Sequence, residues 1–113
     1  ALFERVLRTS TEWGNSDQLM YVVGATKADM LERVRAIVPD AFLLVPGVGS
    51  QNGSLEDVAR FGLNSQCGLL VNASRSIIYA ENTEAFANAA AAEAEALRRQ
   101  MAEILIKNKL IEA

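Results

Sequence analysis

Uninterrupted apolar runs alternate with amphipathic segments along this chain. The runs at 19–23, 42–45 and 68–72 show no alternation of apolar and polar residues, which is typical of parallel strands covered on both faces. Elsewhere apolar residues recur every three or four positions, which predicts helices. The predicted helices occupy 1–13, the segment between Thr26 and Pro39, 54–61 and 83–107.

Capping residues support these helix boundaries. Thr26 and Asp29 have the spacing of a capping box, and Ser54 has the position of a second N-cap. Pro39 and Gly62 are the expected stop signals. A turn is predicted after the third strand, and the last helix should pack through a seam of residues spaced by three or four. That seam is Phe86, Ala90, Ala94, Leu97, Met101 and Ile104.

Alternation of strands and helices indicates an α/β fold with a parallel sheet. The chain has 113 residues and three predicted strands, whereas a complete (β/α)₈ barrel needs about 250 residues. Three strands alone would leave two open sheet edges and an uncovered apolar face. We therefore expect residues 1–113 to be part of one larger domain whose N-terminal strands are missing from this chain.

Charge and cysteine content exclude several classes of function. The net charge is −3 without a basic block, which argues against nucleic acid or an anionic membrane as partner. One cysteine cannot form an internal disulfide, and neither a secretory signal nor a long apolar span is evident. A cytoplasmic location is the resulting expectation. The chain has no histidine, so the usual activation of a serine nucleophile is not available.

Two loops that follow the second and third predicted strands carry the candidate chemistry. The loop 46–53 contains three glycines and Gln51, and glycine lets backbone N–H groups turn toward an anion. In (β/α)₈ barrels, the loops after the last two strands commonly bind phosphate. A tight connection that merely needs glycine, with Gln51 as a solvated residue, explains the same pattern equally well.

Arg75 follows the third predicted strand at the edge where a barrel binds its ligand. Its guanidinium group can hold a phosphate through two N–H donors, and the amide of Ser74 would add another. A surface salt bridge is the alternative for Arg75. Ser74 and Ser76 are expected to be helix caps rather than nucleophiles.

Three segments together resemble orotidine 5′-phosphate decarboxylase, specifically the C-terminal part of the longer bacterial branch of that family. They are 23–26 (VGAT), 45–53 (VPGVGSQNG) and 72–79 (NASRSIIY), in the family's order and spacing. The resemblance extends from about residue 13 to the last helix. It implies that the three strands are the sixth, seventh and eighth of a TIM barrel.

The resemblance also implies an activity and a division of roles. The family converts orotidine monophosphate (OMP) to uridine monophosphate (UMP) and CO₂ in pyrimidine biosynthesis, without metal or organic cofactor. By carry-over, Gln51 would touch phosphate and pyrimidine, Pro46 and Val48 would line the apolar side near the base, and Arg75 with the Ser74 amide would hold the phosphate. A homodimer with the site near the interface is usual in this family.

The chain departs from the family pattern in two respects. The closing loop usually ends in Ala-Gln-Gly-Gly, whereas Ser50 and Asn52 replace the first and third of those residues here. The family's catalytic Lys…Asp-x-Lys-x-x-Asp arrangement is absent, so this chain contains no catalytic residues. We expect it to supply phosphate-binding loops to a complete barrel and to be inactive alone.

Two alternatives stay open at this point. Another phosphate-binding barrel of the same superfamily, such as a hexulose-phosphate synthase, would lack the long closing loop that carries Gln51. A non-catalytic barrel fragment or assembly module would bind no nucleotide at all.

Overall fold

The computed structural model describes residues 1–25, 28–49 and 54–112. Within them the chain forms three strands and five helices. In chain order these are α1 (Leu2–Ser10), β1 (Tyr21–Val22), α2 (Met30–Ile37), β2 (Leu43–Val45), α3 (Leu55–Gly62), β3 (Leu69–Val71), α4 (Arg75–Ile78) and α5 (Phe86–Lys107).

The three strands form one parallel sheet in the order β1-β2-β3. Leu43 pairs with Tyr21 on one side and with Leu69 on the other, so the sheet is in continuous register. Consecutive parallel strands joined through helices are the βα repeat that the alternation of patterns predicts. The predicted parallel α/β arrangement is confirmed.

Helices cover one face of this sheet and bury its apolar side chains. Leu43 and Val45 are fully buried there, with Leu31 of α2 and Val58 of α3 packed in the same cluster. The apolar spacing of α2 and α3 places these side chains toward the strands, as predicted. The core therefore lies between the sheet and its helices.

The opposite face of the sheet is open. Val22, Leu44 and Leu70 stand beside one another in the register, and they are 70%, 38% and 47% exposed. Uninterrupted apolar strands predict cover on both faces, but the described residues cover only one. This row is the uncovered apolar face expected of an incomplete barrel.

At the amino ends of β2 and β3, a buried arginine joins several segments. Arg35 is 9% exposed and donates from Nε to the carbonyl of Gly62 at 2.6 Å, from Nη1 to that of Ala41 at 2.6 Å, and from Nη2 to that of Gly68 at 2.8 Å. Burial lowers the pKa of this guanidinium group. The sequence pattern did not identify Arg35, which occupies the buried face of α2 one turn after Leu31.

Some boundaries differ from the prediction. The first helix ends at Ser10 rather than near Trp13, because the amides of Glu12 and Trp13 bond three residues back and form a turn. Ser54 caps α3, with its hydroxyl accepting from the Asp57 amide at 3.3 Å, as predicted. Asp29 is the N-cap position of α2, whereas Thr26 lies outside the described residues.

The region after β3 also differs from the prediction. Residues 75–78 form the short helix α4 where only a turn was expected. The seam of α5 packs on the core through Leu97, Met101 and Ile104, whereas Phe86 at its start is 59% exposed. α5 also contacts α4, which has no buried residue of its own, and the seam prediction holds only for the second half of α5.

Candidate functional site

The loops after all three strands meet at the carboxyl edge of the sheet. The amide of Asn72 donates to the carbonyl of Val45 at 3.0 Å, which continues the β2–β3 pairing into the second loop. The amide of Ala25 donates to the carbonyl of Pro46 at 3.0 Å, which does the same between the first and second strands. These bonds bring the two predicted phosphate loops side by side.

The described part of the first loop turns through two glycines. Gly47 and Gly49 have φ values of 89° and 97°, a region that L side chains adopt only with strain. Pro46 is half-buried, and Val48 is 3% exposed within the hydrophobic core. Of the two apolar candidates, only Pro46 thus has appreciable surface here. Gln51, the remaining candidate of this loop, lies outside the described residues, as do Ser50, Asn52 and Gly53.

Ser74 lies in the second loop, immediately before the first residue of α4. Its carbonyl accepts from the Ile78 amide at 2.8 Å, and its hydroxyl is 3.2 Å from Nδ2 of Asn72, which donates to it. Ser74 is therefore the N-cap by position but makes no side-chain capping bond. Ser76 lies inside α4, so the prediction that it is a cap is wrong.

Arg75 is the first residue of α4 and is exposed at this edge. Among the described residues, no carboxylate approaches its guanidinium group within the 4.0 Å of an ion pair. The surface salt bridge considered from sequence therefore has no described partner. The donors of Arg75 remain available to an anion at the carboxyl edge.

The two loops make a close contact that sequence reasoning missed. A Cβ atom built on Gly49 would lie 3.0 Å from Oγ and 3.2 Å from Cβ of Ser76. Such distances are tighter than ordinary van der Waals contact, so the hydroxymethyl group of Ser76 occupies the space that a side chain at position 49 would need. The only sequence signals were a glycine in one loop and a small residue beside Arg75 in the other.

Behind this contact lies an open cavity of about 310 Å³. Val48 and Gly49 line one side, Ser76 and Ile77 the other, and Leu97 and Gln100 of α5 form its back. The long helix α5 thus lines this cavity together with residues of both loops. The described residues contain neither a group of three or more potential metal ligands nor a helix long and apolar enough to cross a membrane.

No family model matches the chain. Individual relatives and solved structures do match it, and they agree with one another. An orotidine 5′-phosphate decarboxylase of Porphyromonas gingivalis is 68% identical over 110 residues, which are 97% of this chain and 40% of that protein. The enzyme of the same name from Bacteroides fragilis is 59% identical over 104 residues, 92% of this chain and 38% of that protein.

Solved structures agree with these relatives. The OMP decarboxylase of Leishmania donovani superposes with a TM-score of 0.72 and 31% identity over 91% of this chain and 38% of that one. The UMP synthase of the same organism gives a TM-score of 0.70 and 33% identity over 93% of this chain and 22% of that one.

Two sequence predictions are thereby confirmed. The chain is similar to the C-terminal part of orotidine 5′-phosphate decarboxylases, and its three βα units are a portion of a TIM barrel. The chain spans about 40% of the length of the curated relatives that it matches.

Proposed function

We propose that this chain is the phosphate-binding portion of an orotidine 5′-phosphate decarboxylase, which converts OMP to UMP and CO₂. The observation that carries the proposal is the meeting of two loops at the carboxyl edge of the sheet, with Arg75 exposed at the start of α4 and the next residue, Ser76, close to Gly49. The loops after the last two strands of a (β/α)₈ barrel are the usual place for a phosphate. The 68% identity to a decarboxylase makes a nucleotide the favoured phosphate ester.

Arg75 is the principal phosphate ligand in this proposal. It is exposed at the start of α4 and has no carboxylate partner among the described residues, so phosphate binding would not require breaking an ion pair. A guanidinium group presents two parallel N–H donors to phosphate oxygens. The amide of Ser74 would add a further donor.

The first loop would hold the rest of the nucleotide. Pro46 is half-buried at the end of β2 and would contact the apolar side of the base, with Val48 supporting it from the core. Gln51 would bridge phosphate and pyrimidine. Contacts at the phosphate release binding energy that drives loop closure, which raises the rate at the distant reacting carbon.

The reacting end of the substrate requires groups that this chain does not contain. In the family resembled, an aspartate lies beside the departing carboxylate, and a lysine protonates the carbon that has lost CO₂. We propose that these residues come from the N-terminal strands of the same barrel, and that the assembled enzyme is a cytoplasmic homodimer. The exposed row of Val22, Leu44 and Leu70 is the surface that those strands would cover.

The test compares the complete barrel, the chain alone, and the chain supplied with the N-terminal part. We expect CO₂ release from OMP and binding of UMP in the first and third samples only. Equal affinity for UMP and ribose 5-phosphate in the complete barrel would favour a different phosphate-binding barrel. Absence of both UMP binding and CO₂ release from the complete barrel would contradict the proposal.

Size-exclusion chromatography with intact mass tests the incompleteness of the isolated chain. A sheet with one open apolar face and two open edges should associate or aggregate without its partner strands. A stable, compact monomer that binds no nucleotide under any of these conditions would favour the assembly-module alternative.

A further inference from the structure

Gly49 and Ser76 bring the two phosphate loops together so closely that a side chain at position 49 would require Ser76 to move. The backbone of Gly49 is left-handed, with φ at 97°, and its Cα faces the side chain of Ser76. Gly24, at the equivalent end of the first strand, has no positive φ, and a Cβ atom added to it would meet no heavy atom within 4 Å. The crowding is thus specific to the loop that follows β2.

We propose that Ser76 is a positioning residue for phosphate binding, which rests on the function proposed above. Its hydroxymethyl group sets the separation between the Gly49 backbone and α4, and Arg75 is the preceding residue of that short helix. The contact therefore determines where the guanidinium group lies relative to the first loop. Ser76 acts through Arg75 and is not itself a ligand of the phosphate.

Shape rather than hydrogen bonding carries this role. The Oγ and Cβ atoms of Ser76 lie 3.0 and 3.2 Å from the position that a Cβ atom at residue 49 would take. α4 is only four residues long and has no buried residue, and it packs against α5 on one side. The contact with the Gly49 backbone is its restraint on the side of the first loop.

Substitutions at Ser76 and at Gly49 should each disturb the contact, whereas the same substitution at the control position Gly24 should not. Ser76→Thr adds a methyl group at the contact and should displace α4, and Ser76→Ala removes Oγ, the atom nearest to the position of a Cβ at residue 49, and should loosen the same restraint. Gly49→Ala adds both a clash and backbone strain, whereas Gly24→Ala meets open space. The melting temperature of each variant of the complete barrel separates displacement from loss of fold.

A double-mutant cycle gives the decisive measurement. The dissociation constant of UMP is measured for the complete barrel with Ser76→Thr, with Arg75→Ala and with both substitutions. We expect Ser76→Thr to weaken binding about tenfold when Arg75 is present and less than about twofold when it is absent, because residues that act through one another are not additive. Gly49→Ala should show the same dependence on Arg75.

The outcomes separate this inference from the proposed function. If Arg75→Ala weakens UMP binding but Ser76→Thr has no effect, or the same effect in both backgrounds, the positioning role is overturned and the phosphate assignment stands. If Arg75→Ala leaves UMP binding unchanged, the phosphate assignment itself is wrong and Ser76 loses its role with it.

Discussion

Arg35 and Arg75 lie at opposite ends of the same sheet and show two uses of one side chain. Arg35, at the amino ends of β2 and β3, is buried and donates to carbonyls of three separate segments. Arg75, beyond the carboxyl end of β3, is exposed and has no carboxylate partner among the described residues. A guanidinium group whose donors are satisfied by the protein stabilises the fold, and one whose donors are free is available to a ligand.

The comparison matches the division of labour in barrels of this type. The amino-terminal face of a TIM barrel is concerned with stability and the carboxyl-terminal face with chemistry. The pKa of Arg35 is lowered by burial, yet an arginine stays protonated at neutral pH, so its charge is compensated by the carbonyl dipoles around it. Substitutions at the two ends should therefore affect different measurements.

The largest expected effect is that of Arg35→Met in the complete barrel. The carbonyls of Gly62, Ala41 and Gly68 lose their donor, which should lower the unfolding free energy by about 3–5 kcal/mol. Urea unfolding measures the change. Arg33→Met is the matched control, because Arg33 on the same helix is exposed and pairs at the surface with Glu4. Equal midpoints for the two variants would refute the structural role of Arg35.

Gly68→Ala should destabilise the same end of the sheet. Gly68 has φ at 70°, and an added Cβ would collide with Nη2 of Arg35 and with Nδ2 of Asn64. Backbone strain and displacement of the guanidinium group should together cost about 3 kcal/mol of unfolding free energy. Gly24→Ala, which meets open space, should cost less than about 1 kcal/mol. A similar cost for both variants would mean that Arg35 can move without loss.

Arg75→Ala should reverse this pattern of effects. Loss of a charged hydrogen-bonding partner of the phosphate should cost at least about 2 kcal/mol of transition-state stabilisation, which is roughly a 30-fold decrease in kcat/KM for OMP. The unfolding free energy should change by less than about 0.5 kcal/mol, since the side chain is exposed. Steady-state kinetics and urea unfolding of the same preparation provide both values. An unchanged kcat/KM would remove Arg75 from the site.

The smallest effect concerns arginines that have an exposed carboxylate partner. Arg98 donates to both oxygens of Glu95, at 2.6 and 2.8 Å, and Arg99 donates to one of them at 3.1 Å. The hydrogen bonds from Arg98 are the largest cause that lowers the pKa of Glu95 from 4.5 to about 2. Because the pKa is lower in the folded state, this stabilisation is present above pH 4.5 and is lost as the pH falls toward 2.

Glu95→Gln should remove that small pH-dependent contribution. The difference in unfolding free energy between the original protein and the variant should shrink between pH 4.5 and 2. Glu103→Gln is the control, since Glu103 has no arginine or lysine within ion-pair distance among the described residues. A difference that is constant across this range would show that the exposed pair contributes nothing to stability.

Local patterns were sufficient to predict most of the fold. The apolar runs at 42–45 and 68–72 became β2 and β3, and Ser54 caps α3 as its position indicated. The helix α4 was not predicted, because a segment of four residues is too short to show the apolar periodicity of a helix. Trp13 was placed in the first helix because the pattern did not reveal the turn after Ser10.

The sequence proposed residue types for the candidate site but could not give their arrangement. The glycine loop and Arg75 were recognisable because phosphate chemistry needs backbone amides and fixed charge. The contact between Gly49 and Ser76 could not be recognised, because the two residues lie in different loops and the sequence does not give the distance between them. The burial of Val48 was likewise decided by the packing of the core and α5 around the loop.

By itself, the sequence determined the order of most strands and helices and the parallel α/β class, and it predicted the edge at which a ligand would bind. These follow from periodicity, capping and turn residues, which act over a few positions along the chain. Only the tertiary structure decided that Arg35 is buried while Arg75 is exposed and has no carboxylate partner among the described residues. The partners of Arg35 at Gly62 and Gly68 are 27 and 33 residues away, and such contacts exist only once the elements are packed.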